Sequence, residues 1–298
     1  MKRWAVVMKG KKWVVFKWLF VIVMIGAGIG LMVYPFIANY LFENRQDSII
    51  SGYEKVLTDE IDYSKMFEEA RKYNKTLASG HIQLHDPFSE DNPELSSKEY
   101  YSLLKVDDTD IMGYIDIPVI DVSLPIYHGT SEEVLEKGVG HLEGTSVPVG
   151  GDSVHTVLTG HTGLSNAKLF TDLTEVEVDD VFILNILNEK IAYKVYDIKV
   201  VEPYEISDLS IEDGKDLCTL VTCTPYGVNS HRLLVRGART EYTPEVEKVS
   251  KSELASRPES QWMYQYKLSL LVSVGLIVVA LIIVFIIRRV RNRKRGNK

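Results

Sequence analysis

Two long apolar segments without a charged residue, at positions 18–38 and 268–287, constrain this chain more than any other feature of its sequence. With a rise of about 1.5 Å per residue, each segment forms a helix of about 30 Å, the thickness of the hydrocarbon core of a bilayer. We therefore predict two transmembrane helices. They exclude an intrinsically disordered chain and a simple cytosolic enzyme, and the sequence between them has no further segment of the kind a polytopic transporter needs.

Each apolar segment has an alternative interpretation. A cleaved signal peptide also begins with an apolar segment, but this one is longer than a typical signal-peptide core and no clear small-x-small cleavage site follows it. The second segment could belong to a sorting tail that is removed, but residues 252–266 contain no LPxTG-like motif. Two retained helices are the better interpretation.

Basic residues flank the two segments on their outer sides. Six Lys and Arg residues and no acid precede residue 18, and seven with no acid follow residue 287. Because Lys and Arg beside a span stay preferentially in the cytoplasm, we predict that both termini are cytoplasmic and that the region between the spans is extracellular. That region, residues 39–267, holds all 41 acidic residues and the remaining 21 basic ones, a net charge of −20. Such a charge argues against nucleic-acid binding.

The region between the spans changes in character along its length. Residues 39–78 carry apolar side chains at helical spacing, and residues 79–97 are rich in turn-forming residues. Residues 98–240 hold seven or eight short strand candidates, typical of a closed or sandwich-like β domain. These candidates lie at 111–127 (two strands and a turn), 154–158, 181–187, 191–201, 217–223 and 232–239. The full prediction is a basic N-terminus (1–17), a transmembrane helix (18–38), a helical region (39–78), an irregular loop (79–97), a β domain (98–240), a spacer (241–267), a second transmembrane helix (268–287) and a basic tail (288–298).

The chain contains two cysteines, Cys218 and Cys223, in one predicted strand. Residues five apart on a strand point to opposite faces and lie roughly 17 Å apart, whereas a disulfide needs Cα atoms within about 7 Å. We therefore predict free thiols. Cys218 is interpreted as a small buried apolar residue, and Cys223, at the strand end, as a thiol whose chemistry is used.

Two residues that suit nucleophilic catalysis are expected close to Cys223. Turn formers at 225–227 predict a hairpin, which brings Arg232 on the return strand next to Cys223. His161 follows an apolar strand and lies between two glycines, a setting that exposes a side chain at a sharp turn. A nearby imidazole and guanidinium both favour the thiolate, and an arginine also stabilises an oxyanion. Cys223, His161 and Arg232 together suffice for acyl transfer through a thioester, and this chemistry requires no metal or other cofactor.

Less specific interpretations of the same residues stay open. A lone cysteine is more often structural, and a lone arginine on a strand is usually solvated or salt-bridged. His231 competes with His161 as the base, because the predicted hairpin places it close to Cys223.

Four motifs, spread in family order over residues 111–239, resemble the sortase family. They are Thr219-Leu220-Val221-Thr222-Cys223 with Arg232 downstream, His155-Thr156-Val157-Leu158-Thr159-Gly160-His161, Gly113-Tyr114-Ile115-Asp116-Ile117-Pro118 and Leu124-Pro125-Ile126-Tyr127. The resemblance implies a mainly β fold, a closed eight-stranded sortase-type barrel with an N-terminal helical region and two transmembrane helices. It also implies a cysteine transpeptidase of a Gram-positive cell surface. Cys223 would cleave an LPxTG-like sorting signal between Thr and Gly. His161, rather than His155 or His231, would be the base, and Arg232 would stabilise the oxyanion.

Two further features resemble the class C sortases, which build pili. Such enzymes commonly carry a C-terminal membrane anchor, and a lid with an Asp-Pro-aromatic motif upstream of the barrel, which Asp86-Pro87-Phe88 matches. The implied partners are the membrane and pilin proteins that bear LPxTG-like signals, one of which supplies the attacking lysine. In the implied lid, Asp86 pairs with Arg232 in a partly exposed contact worth about 1 kcal/mol, and Phe88 lies over Cys223. The alternative is that residues 86–88 form a simple turn.

Two positions depart from the family pattern. Ser230 precedes His231 where many relatives have Thr, and Cys218 stands where an apolar residue is expected. Neither departure affects the implied mechanism. Two other functions remain possible: a housekeeping sortase that attaches surface proteins to peptidoglycan precursor, and a membrane-tethered binding scaffold without catalysis.

Overall fold

Helices lie at both ends of the chain and strands in its middle, in a computed structural model that describes residues 2–58, 60–79, 84–89, 97–106, 109–164, 167–254 and 261–296. Of the predicted loop at 79–97, residues 80–83 and 90–96 lie outside the described residues. The chain divides into two compact units, one formed by Met1–Tyr34 with Pro258–Lys298 and the other by Pro35–Arg257.

Both predicted spans fall within long helices, α1 (Lys2–Val56) and α5 (Gln261–Gly296). In the part of the chain that is described, two segments are long and apolar enough to cross a membrane, Leu19–Val56 and Tyr266–Ile286. Their large apolar side chains are exposed rather than packed in a protein core. Such exposure is unfavourable in water and is expected of helices that face lipid.

The helical region at 39–78 consists of the end of α1 and a second helix, α2 (Ser64–Ser79). The Tyr53 hydroxyl of α1 donates to the Met112 carbonyl at 3.3 Å and accepts from the Leu187 amide at 2.9 Å. On α2, the Asn74 side chain donates to the Val147 carbonyl at 3.0 Å and accepts from the Val147 amide at 2.8 Å. These buried bonds attach both helices to the β domain.

Eight strands close into a barrel, as the resemblance implied. They are β1 (Ile111–Ile117), β2 (Val122–His128), β3 (Val139–His141), β4 (Val154–Thr159), β5 (Val181–Ile186), β6 (Glu189–Val201), β7 (Asp216–Thr224) and β8 (His231–Thr240), in the order β1-β2-β3-β4-β7-β8-β6-β5, and β5 returns to β1. The β2–β3 and β4–β7 pairs are parallel and the other pairs antiparallel.

Two short elements differ from the sequence prediction. β3 has three residues, too few for an alternating pattern to stand out, and it was not among the strand candidates. It follows a short helix, α3 (Glu132–Lys137). The predicted spacer at 241–267 contains another helix, α4 (Pro244–Leu254), whose Glu247 contacts Lys190 of β6 at 3.4 Å.

Alternation along the strands produces two apolar clusters. The main core fills the barrel and includes Cys218 and Leu220 of β7. Neighbouring residues of the strands point to the opposite face, where Val221 belongs to a smaller cluster with Leu142, Val157, Leu209 and Leu234. Leu84 and Phe88 pack against this second cluster, so the described part of the predicted lid covers the outer face of β4, β7 and β8.

Candidate active site

The hairpin of β7 and β8 places Cys223 directly opposite Arg232. The two residues are register partners in the antiparallel pair, so backbone pairing fixes their spacing. Both cysteines are free thiols, as predicted. Cys218 is fully buried in the barrel core, whereas Cys223, on the opposite face, keeps 7% of its surface exposed.

His161 lies next to the end of β7 because β4, two residues before it, pairs in parallel with β7. Thr159 of β4 is the partner of Val221. The pairing continues past the end of β4, where the Gly160 amide donates to the Val221 carbonyl at 3.1 Å and the Thr222 hydroxyl donates to the Gly160 carbonyl at 2.7 Å. The fold therefore brings His161, Cys223 and Arg232 to one end of the β4–β7–β8 sheet.

The two other histidines weighed as the base are engaged elsewhere. His155 is fully buried, and its ring nitrogens contact the Ser210 carbonyl at 2.8 Å and the Thr219 hydroxyl at 2.7 Å. His231, the register partner of Thr224, faces Glu202 at 3.3 Å. In the described residues, His161 makes no side-chain hydrogen bond that would hold its ring away from a neighbouring thiol.

Asp86 binds Arg232 through both carboxylate oxygens, the pairing that the lid interpretation predicts. Arg232 Nε donates to Oδ1 at 2.8 Å and Nη2 donates to Oδ2 at 2.6 Å. The two side chains are 11% and 12% exposed, so the pair is more buried than expected. A bidentate and largely desolvated pair is stronger than the exposed pair on which the value of about 1 kcal/mol was based. Arg232 Nη1 also donates to the carbonyls of Asn229 and His231, each at 3.1 Å.

Phe88 lies against both the arginine and the histidine. Its ring is 5.0 Å from the Arg232 guanidinium carbon, a cation–π geometry, and its centroid is 5.5 Å from that of the His161 ring. A local turn holds residues 86–88 in this position, because the Phe88 amide donates to Asp86 Oδ1 at 3.4 Å and the Ser89 amide donates to the Asp86 carbonyl at 3.1 Å. A position of Phe88 over Cys223 itself stays a prediction.

The electrostatics of this arrangement disfavour the thiolate. Burial raises the pKa of Cys223, Arg232 opposes that rise, and the Asp86 carboxylate adds to it. Burial also lowers the pKa of His161, against the influence of Glu136 and Glu132. A neutral Cys223 thiol and a neutral His161 imidazole are therefore favoured while Asp86 is bound to Arg232.

Two features of the site were not found by sequence reasoning. The glutamates of α3 act on His161, although 25 or more residues separate Glu136 and Glu132 from it in the chain. The Thr222 hydroxyl links β7 to the histidine loop, the residues Gly160 and His161 that follow β4. The sequence signal for this contact was the position of Thr222 inside the Thr219–Cys223 motif. No cluster of three or more His, Cys, Asp or Glu side chains suited to a metal ion occurs within the described ranges.

Comparison with known proteins identifies the class to which this fold and site belong. The family model described as "Sortase domain" matches residues 115–240. The crystal structure of sortase C-1 from Actinomyces oris is 47% identical, covering 61% of this chain and all of that one, with a TM-score of 0.57. The chain belongs to the sortase family of transpeptidases.

The relatives also indicate a subclass. Sortase C1 from Streptococcus agalactiae is 45% identical over 66% of this chain and all of its own, with a TM-score of 0.61. Sortase A from Staphylococcus aureus is less similar, 28% identical over 69% of this chain and 84% of its own. Close structural neighbours of this chain include class C sortases, in agreement with the resemblance based on the lid motif and the second apolar segment.

Proposed function

We propose that this chain is a membrane-anchored class C sortase, a cysteine transpeptidase that joins pilin subunits. The observation that carries the proposal is the contact of Asp86 and Phe88 with Arg232 beside Cys223, because it matches the lid that class C resemblance implies. One neighbour is described as providing insight into "pilin substrate specificity", the sortase C of Streptococcus pneumoniae, 41% identical over 66% of this chain and 98% of its own, with a TM-score of 0.60.

The first half of the proposed reaction forms the acyl-enzyme. Once the lid has opened, His161 accepts the proton of the Cys223 thiol, and the resulting thiolate attacks the carbonyl carbon of the Thr–Gly bond in an LPxTG-like signal. Arg232, released from Asp86, donates hydrogen bonds to the oxyanion. The C–N bond then breaks, His161 protonates the departing glycine amine, and a thioester joins the threonine carbonyl to Cys223.

The second half transfers the acyl group to an amine. His161, now neutral, accepts a proton from a lysine side chain of another pilin as that amine attacks the thioester carbonyl. The C–S bond breaks, Cys223 leaves as a thiolate, and an isopeptide bond joins the two subunits. The reaction consumes no water and no cofactor.

The two apolar helices fit an enzyme held at the membrane. We propose that the segments within Leu19–Val56 and Tyr266–Ile286 both span the bilayer. Because basic residues flank both segments on their outer sides, the proposed orientation has the two termini in the cytoplasm and residues 39–267 outside the cell.

A housekeeping sortase is the second candidate. The observation that favours it is the similarity to curated relatives called Sortase A, from Staphylococcus aureus and Bacillus anthracis, at 28% and 27% identity. In that case the acceptor is an amine of peptidoglycan precursor, and the same thioester forms on Cys223.

The acyl-enzyme tests the chemistry. Full-length protein in detergent is incubated with a peptide containing Leu-Pro-Glu-Thr-Gly, and intact mass reports the adduct. We expect an adduct whose mass equals the peptide up to its threonine, on wild type and on Cys218→Ala but not on Cys223→Ala. An adduct that persists in Cys223→Ala places the nucleophile elsewhere, and unchanged function in that variant supports the non-catalytic scaffold.

A reporter experiment separates the two sortase functions. The full chain is expressed in a Gram-positive host lacking other sortases, with a secreted pilin-like protein that carries a sorting signal. A ladder of covalent polymers that resists boiling in detergent supports pilus assembly. Monomers released by peptidoglycan hydrolases support the housekeeping function.

A further inference from the structure

One buried hydrogen bond connects the residues that precede the proposed nucleophile and base. Thr222 is 1% exposed, and its hydroxyl donates to the Gly160 carbonyl at 2.7 Å. Because side chains alternate along a strand, Thr222 points to the face opposite Cys223. Its hydroxyl therefore acts through the backbone and has no access to a substrate that lies on the Cys223 face.

The backbone around His161 is held by two more hydrogen bonds. The Gly160 amide donates to the Val221 carbonyl at 3.1 Å, and the Phe170 amide donates to the His161 carbonyl at 3.0 Å. The ring of Phe170 packs so closely on Gly160 that a Cβ there would approach it to 2.7 Å. Both of these bonds are made by backbone groups, so Thr222 contributes the one bond of the three that a side-chain substitution can remove.

The His161 side chain depends on this backbone support once the lid opens. In the closed state its ring packs against Phe88 at 5.5 Å. Opening of the lid removes the contact with Phe88. The position of the imidazole relative to Cys223 then depends on the hydrogen bonds that attach the histidine loop to β7. Productive geometry tolerates errors of about 0.5 Å, and a misplacement of 1 Å can reduce a rate about 100-fold.

We propose that Thr222 is a positioning residue for the transpeptidation reaction, fixing the His161 loop against the strand that carries Cys223. This inference rests on the proposed function, in which Cys223 and His161 react together. A Thr222→Val substitution keeps the shape of the side chain but leaves the Gly160 carbonyl without its side-chain donor. The loop then gains freedom at the residue next to the base.

Kinetics of matched variants test the proposal. Full-length Thr222→Val, Thr222→Ser and Thr156→Val are compared, all in the Asp86→Ala background so that lid opening does not limit the rate. Thr156 of β4 is a suitable control because it is fully buried, it is the register partner of Cys218 and so lies on the same inner face as Thr222, and its hydroxyl has no hydrogen-bond partner among the described residues. The assay measures transfer of a Leu-Pro-Glu-Thr-Gly peptide to hydroxylamine, with the folded fraction determined by circular dichroism.

We expect Thr222→Val to lower kcat at least about tenfold with KM changed less than about threefold. Thr222→Ser, which retains a donor, recovers most of the rate, and Thr156→Val stays within about twofold of the background. Equal kcat values for Thr222→Val and Thr156→Val, per folded molecule, overturn the inference, as does a Ser variant no better than Val. If Cys223→Ala also transfers the peptide, or if the Asp86→Ala protein is inactive, it is the proposed function that fails.

Discussion

Replacing Asp86 with alanine is expected to open the lid without unfolding the barrel. The closed position depends on two charge-assisted hydrogen bonds from Arg232, at 2.8 and 2.6 Å, and on the contact of Phe88 with the same guanidinium. Arg232 keeps its bonds to the carbonyls of Asn229 and His231 in the variant. The arginine is therefore not left without partners, and the barrel strands do not involve Asp86.

The size of the effect follows from the burial of the pair. With side chains 11% and 12% exposed, the interaction belongs with hydrogen bonds to charged groups, which contribute about 2 kcal/mol, rather than with exposed ion pairs. A change of about 2 kcal/mol alters the ratio of closed to open lid roughly 30-fold. The loss of a nearby carboxylate also lowers the pKa of Cys223, because Asp86 contributes to its rise. Both changes make the thiol more reactive near neutral pH.

Alkylation of Cys223 by iodoacetamide, followed by mass spectrometry across pH 6 to 10, separates these two effects. The plateau rate at high pH reports the open fraction, and the midpoint of the profile reports the pKa of the thiol. We expect the plateau to rise at least about tenfold in Asp86→Ala. Asp197→Ala, which removes a carboxylate 3.3 Å from Arg236 on the same strand as Arg232, is the matched control. Equal plateaus for wild type, Asp86→Ala and Phe88→Ala would refute the lid, and residues 86–88 would then form only a turn.

Further predictions concern the nucleophile, the base and stability at low pH. Cys223→Ala should abolish transfer of the peptide while the melting temperature stays near that of wild type. A comparable loss of turnover in Cys218→Ala would contradict the assignment of the two cysteines to opposite faces of β7. His161→Ala should lose at least about 100-fold in kcat and His231→Ala much less, as measured by the same transfer assay, and the reverse ranking would move the base to the hairpin. Burial lowers the pKa of His141 to about 3, so the unfolded chain binds a proton there below pH 6.5 that the folded protein does not. Stability should therefore fall as the pH drops from 7 to 5, by about 2 kcal/mol at pH 5 from this residue, and a melting temperature that does not change over this range would contradict that reading.

Much of the fold was predictable because its strands are long enough to show a pattern. The alternation at 217–223 already separated Cys218 from Cys223, and the structure places these thiols on opposite faces of β7. β3, with three residues, offers no such pattern, and its position depends on parallel pairing with β2 across the intervening helix α3. Tertiary pairing of this kind has no local signature in the sequence.

The sequence likewise predicted those features of the candidate site that are local and missed those that depend on tertiary packing. The hairpin predicted from the turn residues at 225–227 brought Arg232 beside Cys223, since hairpin register is a local property. The burial of the Asp86–Arg232 pair was underestimated, because it depends on the packing of Leu84 and Phe88 against side chains from at least five other segments of the chain. The contact of Thr222 with Gly160 spans 62 residues and required the parallel β4–β7 pair to be known.

The register pair of Cys223 and Arg232 has a consequence for how such an enzyme can diversify. Their spacing is set by the backbone ladder between β7 and β8, and the connection between β6 and β7, residues 202–215, contributes no hydrogen bond to that ladder. Loops tolerate changes in length and sequence far better than paired strands do. Residues 202–215 can therefore diverge in length and sequence between relatives while the pairing that sets the Cys223–Arg232 spacing is inherited unchanged.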